Sequence, residues 1–193
     1  SQNSSLIETD QKTEYFAYSD FQGTEVPVPR LIALEESSDV LGASFMVMEE
    51  LQGKVASPFD KDAYIPHEAE IGRQFWEILG KIASHDLTNS KLRELSEEKT
   101  LNNCWKEQLE YWVGVIRKDS LGVEPILEAA IRELQRSEPL PATRLSIVHG
   151  DYRNGNFLFE GKEVTGILDW EMAHIGDPLE DLGWALSEIW CWE

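Results

Sequence analysis

Apolar positions recur along this chain with two different periods, and each change of period marks a change of element. After Pro66, Ile71, Phe75, Ile78, Leu79 and Ile82 fall at the spacing of one buried helix face. Trp105, Leu109, Trp112 and Ile116 make a second such face. Leu127, Ala130, Ile131 and Leu134 make a third, closed by Pro139 and Pro141. The pattern predicts three helices whose apolar stripes are core. Upstream, residues 6–21 read weakly as a helix, followed by Gly23 and the turn-rich Val26-Pro27-Val28-Pro29. Residues 30–35 and 43–48 read as two strands joined by a polar loop over 36–42, and residues 53–64 as a linker.

The last third returns to short strands. Residues 145–148, 157–159 and 164–168 are apolar runs, and residues 160–163 suit a tight turn between the latter two. Asp177-Pro178-Leu179-Glu180 then opens a helix, with Asp177 as N-cap, Pro178 at the first helical position and Glu180 completing a capping box. There is no internal repeat and no low-complexity block.

Composition narrows the class. The 193 residues are 41% hydrophobic and 27% charged, as in ordinary globular chains. No run approaches the roughly 20 apolar residues of a membrane span, and Ser1-Gln2-Asn3-Ser4-Ser5 lacks the apolar core of a signal peptide. Cys104 and Cys191 show no CxxC spacing and read as reduced thiols, so the expected location is cytoplasmic. With 17 basic against 36 acidic residues the net charge is −19, which disfavours nucleic acid and anionic membranes as partners. Solvated acidic helix faces, a cationic substrate and adaptation to salt all suit that charge. Oligomeric state is not legible.

The candidate chemistry lies in "HGDYRNGN", residues 149–156, between two apolar runs. A hairpin turning near Lys162 sets Asn156, just before its first strand, beside Asp169, just after its second. An amide oxygen and a carboxylate at a hairpin mouth form a hard-oxygen site. Mg²⁺ suits such a site when phosphate oxygens and water complete its octahedron. Asp151, at the other end of the loop, is placed to serve a reacting hydroxyl. Taken singly, Asp and Asn in a loop are also ordinary turn formers.

The order H-x-D-x-x-x-x-N, apolar hairpin, D resembles the catalytic loop and metal aspartate of protein kinases. The longer stretches "HGDYRNGNFLF" and "ILDWEMAHIGDPLEDLGWAL" resemble the aminoglycoside phosphotransferase and choline kinase branch of the kinase-like fold, nearest to the members associated with acyl-CoA dehydrogenases. The resemblance implies an α+β, two-lobed kinase-like fold, incomplete here. A partial N-lobe with hinge would span residues 1–52, and a mainly helical C-lobe residues 53–193. It implies an ATP- and Mg²⁺-dependent phosphotransferase acting on a small-molecule hydroxyl. Asp151 takes the role of catalytic aspartate, and Asn156 and Asp169 those of magnesium ligands. Arg153 either steadies the transferring phosphoryl charge or is a surface cation. His149 packs the loop, and Asp181 braces its backbone. "FMVMEELQG" resembles the interlobe hinge, which places the Glu49 carbonyl and Leu51 amide against adenine with Met48 as gatekeeper. "TEYFAYSDFQGTEVPVPR" resembles the helix whose glutamate, here Glu14, pairs with a phosphate-binding lysine.

The departures set further expectations. No Gly-rich loop precedes that helix, and Lys12, the only upstream lysine, lies within it. Glu14 is therefore expected to be exposed or opportunistically paired. The chain ends at Trp190-Cys191-Trp192-Glu193, where relatives continue, so it reads as a fragment that binds Mg-ATP weakly and is inactive alone. A metallophosphoesterase needs more histidines than His67, His85, His149 and His174 supply. A non-catalytic nucleotide-binding protein is the other reading. The acceptor stays open among amino sugars, choline-like alcohols, sugars and hydroxyacyl compounds.

Overall fold

The computed structural model describes residues 10–190 except 58, 59, 61, 97, 121 and 123. Residues 6–9 of the expected first helix, and Cys191, lie outside the described residues. Helix α1 (Gln11–Asp20) begins at Asp10, whose carboxylate accepts from the Lys12 amide at 3.0 Å. It buries Ala17 and Tyr18, with Phe21 just beyond its end. Asp20 then reaches across the chain to cap a different helix, α3 (Lys91–Leu95). Its carboxylate accepts from Ser90 Oγ at 2.7 Å and from the amides of Lys91 and Leu92 at 2.6 and 3.1 Å. Those amides have no partner within their own helix, so one side chain both caps α3 and ties it to α1.

Strands β1 (Leu31–Glu35) and β2 (Phe45–Met48) pair antiparallel, Leu31 opposite Met48 and Glu35 opposite Phe45. Helix α2 (Glu68–Ser84) follows, burying Ile71, Ile78, Leu79 and Ile82 as its periodicity predicts. Phe75, on the same stripe, packs against Tyr152 at 4.5 Å between ring centroids. The short helix α3 and the 3-10 turn Leu87–Asn89 gave no periodic signal, because neither spans two turns.

Helices α4 (Cys104–Asp119) and α5 (Pro125–Arg136) pack on one another, and here the predicted stripes need correction. On α4 the fully buried residues are Cys104 and Val113, while Trp105, Leu109, Trp112 and Ile116 are half-covered. On α5 only Ile131 is buried; Leu127, Ala130 and Leu134 are exposed. Periodicity identified a face, and α4 covers only its centre.

Hairpin β4 (Phe157–Glu160) and β5 (Glu163–Ile167) pairs Phe157 with Ile167 and turns at Gly161-Lys162. Three segments hold it. The Gln74 amide of α2 donates to the Lys162 carbonyl at 2.7 Å and accepts from the Val164 amide at 3.1 Å. The Ile167 amide donates to the Pro27 carbonyl at 2.8 Å. Lys54 exchanges backbone hydrogen bonds of 3.0 Å with Phe159, so the segment expected as a linker starts as a third strand partner of the hairpin. Gly53 permits this approach, since at φ +124 an added Cβ would stand 3.0 Å from the Phe159 carbonyl oxygen.

Strand β3 (Ser146–Val148) pairs antiparallel with β6 (His174–Gly176), a strand too short and polar to be read from the sequence. Helix α6 (Leu179–Ala185) completes the described elements. The core gathers α1, α2, the hairpin and β3 around Trp170, which is 0% exposed and packs on Phe21 at 4.8 Å and His149 at 4.5 Å. Burying such side chains stabilises by about 1.5–3 kcal/mol each. It also anchors the segments that flank residues 149–156 to one core.

Candidate functional site

The hairpin carries the site at its open end. Pairing of Phe157 with Ile167 continues one step outward, the Leu168 amide donating to the Asn156 carbonyl at 2.9 Å. That register puts Asn156 and Asp169 at the mouth, one on each strand exit. Asp169 has φ 66, a left-handed conformation uncommon for any residue with a Cβ, though Asp tolerates it better than most. Its amide donates to Tyr18 Oη at 3.3 Å, which ties this turn to α1.

The loop before the hairpin is braced from α6. Asp181 is 2% exposed, and its carboxylate accepts from the His149 amide at 2.7 Å and the Gly150 amide at 2.9 Å. Burial raises its pKa to about 6, the two amide donors opposing that rise. His149 is wholly buried. Its Nδ1 accepts from the Asp151 amide at 3.2 Å and its Nε2 contacts the Leu168 carbonyl at 2.9 Å, which assigns the proton to Nε2. Burial depresses its pKa to about 4, so the ring is a neutral bridge between the two ends of the site. Gly150, at φ +88, has the Met172 carbonyl oxygen 2.6 Å from where a Cβ would stand; only glycine lets the loop turn here.

Asp151 faces a cleft of about 790 Å³. Arg153 Nε donates to both of its carboxylate oxygens at 3.0 and 3.1 Å. Asn156 Nδ2 donates to Oδ2 at 2.7 Å and to the Asp151 carbonyl at 2.9 Å. Trp184 Nε1 donates to Oδ1 at 2.6 Å. Asp151, Arg153 and Asn156, singled out from the sequence, thus converge. Trp184 did not emerge from the sequence, although it stands three residues after Asp181 on one helix face, a spacing that carries the signal. The expected cap of α6 needs correction: the helix starts one residue later than read, so Pro178 rather than Asp177 is its N-cap, although the Asp177 carboxylate accepts from the Leu179 amide at 3.0 Å and Glu180 accepts from the Asp177 amide at 3.1 Å.

Glu14 is neither exposed nor paired with a cation, contrary to expectation. It sits half-buried beside Asp169 and Glu171, with Tyr18 and the Trp170 backbone near enough to oppose the rise in its pKa. Desolvation, then the charges of Asp169 and Glu171, raise its pKa to about 7. Lys12 turns to Glu36 at 3.2 Å. Desolvation and the Asp151 charge also raise the Asp169 pKa, with Arg153 opposing. This crowd of carboxylates is a place where a cation would relieve repulsion. With the Asn156 nitrogen committed to Asp151, its oxygen is the atom left to offer a metal. Among the described residues no group of three or more His, Cys, Asp or Glu could hold a metal alone. An amide oxygen and a carboxylate are donors of the kind that a hard cation takes when phosphate oxygens and water complete its shell.

In the segment expected to form a hinge, Met48 is half-buried against the core and the Glu49 amide donates to the Arg30 carbonyl at 2.9 Å. Leu51 packs on Gly166, where an added Cβ would stand 2.5 Å from Leu51 Cδ1. Among the described residues nothing engages the Glu49 carbonyl or the Leu51 amide.

This geometry has counterparts. The chain is 29% identical over 163 residues to acyl-CoA dehydrogenase family member 10 of Mus musculus, covering 83% of this chain and 15% of that protein. It is 29% identical over 169 residues to family member 11 of Rattus norvegicus (86% and 21%). It is 30% identical over 149 residues to viomycin phosphotransferase of Streptomyces vinaceus (72% and 48%). It therefore spans less than half the length of each of these relatives. Among solved structures, one from Ralstonia eutropha JMP134, provisionally assigned as an aminoglycoside phosphotransferase, superposes with a TM-score of 0.78 at 27% identity, over 91% of this chain and 54% of that one. The kinase-like fold also appears in a thermostable aminoglycoside phosphotransferase mutant in ternary complex with ADP and hygromycin B, with a TM-score of 0.58 at 17% identity over 90% and 59%. The α+β fold and the loop-and-hairpin arrangement find their common frame in a family model matching residues 9–193: the chain belongs to the phosphotransferase enzyme family.

Proposed function

We propose that this chain carries the catalytic loop of an ATP- and Mg²⁺-dependent phosphotransferase that moves the γ-phosphoryl group to a hydroxyl of a small molecule. One observation carries the reading: Asp151, Asn156 and Asp169 are brought to one hairpin mouth, with Asp151 open to a cleft large enough for a small acceptor. Asp151 orients the acceptor hydroxyl and takes its proton as the new O–P bond forms and the bond to the ADP oxygen breaks. Asn156 and Asp169 would hold Mg²⁺, which supplies charge neutralisation at the phosphates. Arg153, bonded to Asp151, also opposes the rise in the Asp169 pKa and so would favour both carboxylates in their charged forms. The Glu49 carbonyl and Leu51 amide would receive adenine beside Met48. Residues 1–52 would form the partial N-lobe and hinge, and residues 53–193 the C-lobe.

A second reading, a nucleotide-binding protein without turnover, is favoured by a specific feature: among the described residues Glu14 has carboxylates rather than a lysine for neighbours. Net charge −19 argues against nucleic acid as a partner, and no helix among the described residues is long and apolar enough to cross a membrane. The buried free thiol of Cys104 suits a cytoplasmic setting. The deciding experiment is transfer of labelled γ-phosphate by the natural full-length protein to amino sugars, choline-like alcohols, sugars and hydroxyacyl thioesters, with Asp151→Asn as control. Labelled product that vanishes with the control supports the reading. Nucleotide binding without transfer to any alcohol supports the second.

A further inference from the structure

The Asp151 carboxylate is engaged by three N–H donors, one of them, Arg153 Nε, shared between its two oxygens. A carboxylate offers about four lone-pair positions, and here Oδ1 faces Arg153 Nε at 3.0 Å and Trp184 Nε1 at 2.6 Å, while Oδ2 faces Arg153 Nε at 3.1 Å and Asn156 Nδ2 at 2.7 Å. A substrate hydroxyl that approaches Oδ1 from the cleft therefore competes with the Trp184 N–H.

The donors are not equally replaceable. Asn156 is 7% exposed and also donates to the Asp151 carbonyl, so its amide is fixed twice. Arg153 is fixed by a bond from Nη1 to the Asn154 carbonyl at 3.1 Å and by stacking over the Trp190 ring at 4.6 Å. Trp184 has a single polar contact, is 39% exposed, and lines the cleft. Its ring meets Trp190 edge-on at 5.4 Å, a contact that does not depend on the N–H.

We propose that Trp184 is a positioning residue for the acceptor: its indole N–H holds Oδ1 of Asp151 until an acceptor hydroxyl takes that place. The contact keeps the carboxylate oriented in the empty site. It also screens the base from water, which would otherwise accept the phosphoryl group and waste ATP. The inference rests on the reading of Asp151 as base, and its test separates the two.

In the natural full-length protein, hydrolysis of Mg-ATP with water as the only acceptor is compared for wild type, Trp184→Phe and Asp151→Asn. Phenylalanine keeps the ring against Trp190 and lacks the N–H. Trp184→Phe is expected to hydrolyse ATP about three- to tenfold faster, as release of one competing hydrogen bond implies, with the KM for ATP unchanged. A purely structural role would lower the rate or raise that KM. In parallel, the ¹⁵N-labelled indole N–H of Trp184 should be protected from solvent exchange in wild type and lose that protection in Asp151→Asn. Unaltered hydrolysis by Trp184→Phe, or an unprotected Trp184 N–H in wild type, overturns the proposal. Wild-type hydrolysis by Asp151→Asn would instead overturn the base assignment itself.

Discussion

At the scale of the residue, Asp181 shows how one side chain shapes the site without touching it. Two adjacent amides of the loop point at a buried carboxylate 31 and 32 residues further along the chain. Asp181→Ala would orphan both donors, and each costs about 1–3 kcal/mol when left unpaired. The expected outcome is a lower midpoint in urea unfolding, with the largest amide shift changes at His149 and Gly150. Gly150→Ala should do comparable damage by another route, because a Cβ there meets backbone rather than a movable side chain; thermal melting measures both. These residues were legible, since Asp151, Asn156, Asp169 and Asp181 stand in an ordered pattern of chemically distinctive groups. Trp184 was not, because an indole in an apolar helix reads first as packing. Glu14 was placed on the right helix, but its surroundings were not readable: its acidic neighbours Asp169 and Glu171 come from more than 150 positions away.

Elements were legible in proportion to how much their pattern says about a partner. Helix α2 declared its face and buries it against the hairpin and β3. The hairpin declared its turn and register, and these alone bring Asn156 and Asp169 together. Helix α5 declared a face as clearly, yet Leu127 and Leu134 are 37% and 54% exposed. A hydrophobic period reports what a helix is built to bury, not whether the described chain covers it. The difference is measurable. Ile131→Ala, at 3% exposure, should cost about 2–5 kcal/mol in chemical denaturation. Leu134→Gln should stay within about 0.5 kcal/mol of wild type. Equal losses at both positions would mean that the α5 stripe is covered in solution. Strand β6 escaped notice for the opposite reason: three residues with a His and a Gly carry no period, and pairing with β3 alone makes them a strand.

At the scale of the whole molecule, the titrating groups of the site oppose one another. Glu14 has its pKa raised from 4.5 to about 7 by burial and neighbouring carboxylates, so its contribution to stability is present below pH 4.5 and lost as pH rises through 7. Asp181, raised from 3.8 to about 6, acts in the same sense over a lower range. His149, lowered from 6.5 to about 4, contributes fully above pH 6.5 and loses that contribution as pH falls towards 4. Between pH 4.5 and 6.5 the histidine therefore offsets the carboxylates, and above 6.5 Glu14 is the one of these three that still changes substantially. With divalent cations removed, the melting temperature should fall from pH 6.5 to 7.5, and Glu14→Gln should abolish that fall. If Asn156 and Asp169 hold a cation, Mg²⁺ should raise the melting temperature of the wild type most at the upper end of that range, where repulsion among Glu14, Asp169 and Glu171 is greatest. Asp169→Asn should remove most of the Mg²⁺ effect while leaving the Glu14 titration visible, shifted downward by the loss of one neighbouring charge. A Mg²⁺ response that survives Asp169→Asn would place the cation elsewhere, since a molecule of net charge −19 offers many weaker sites.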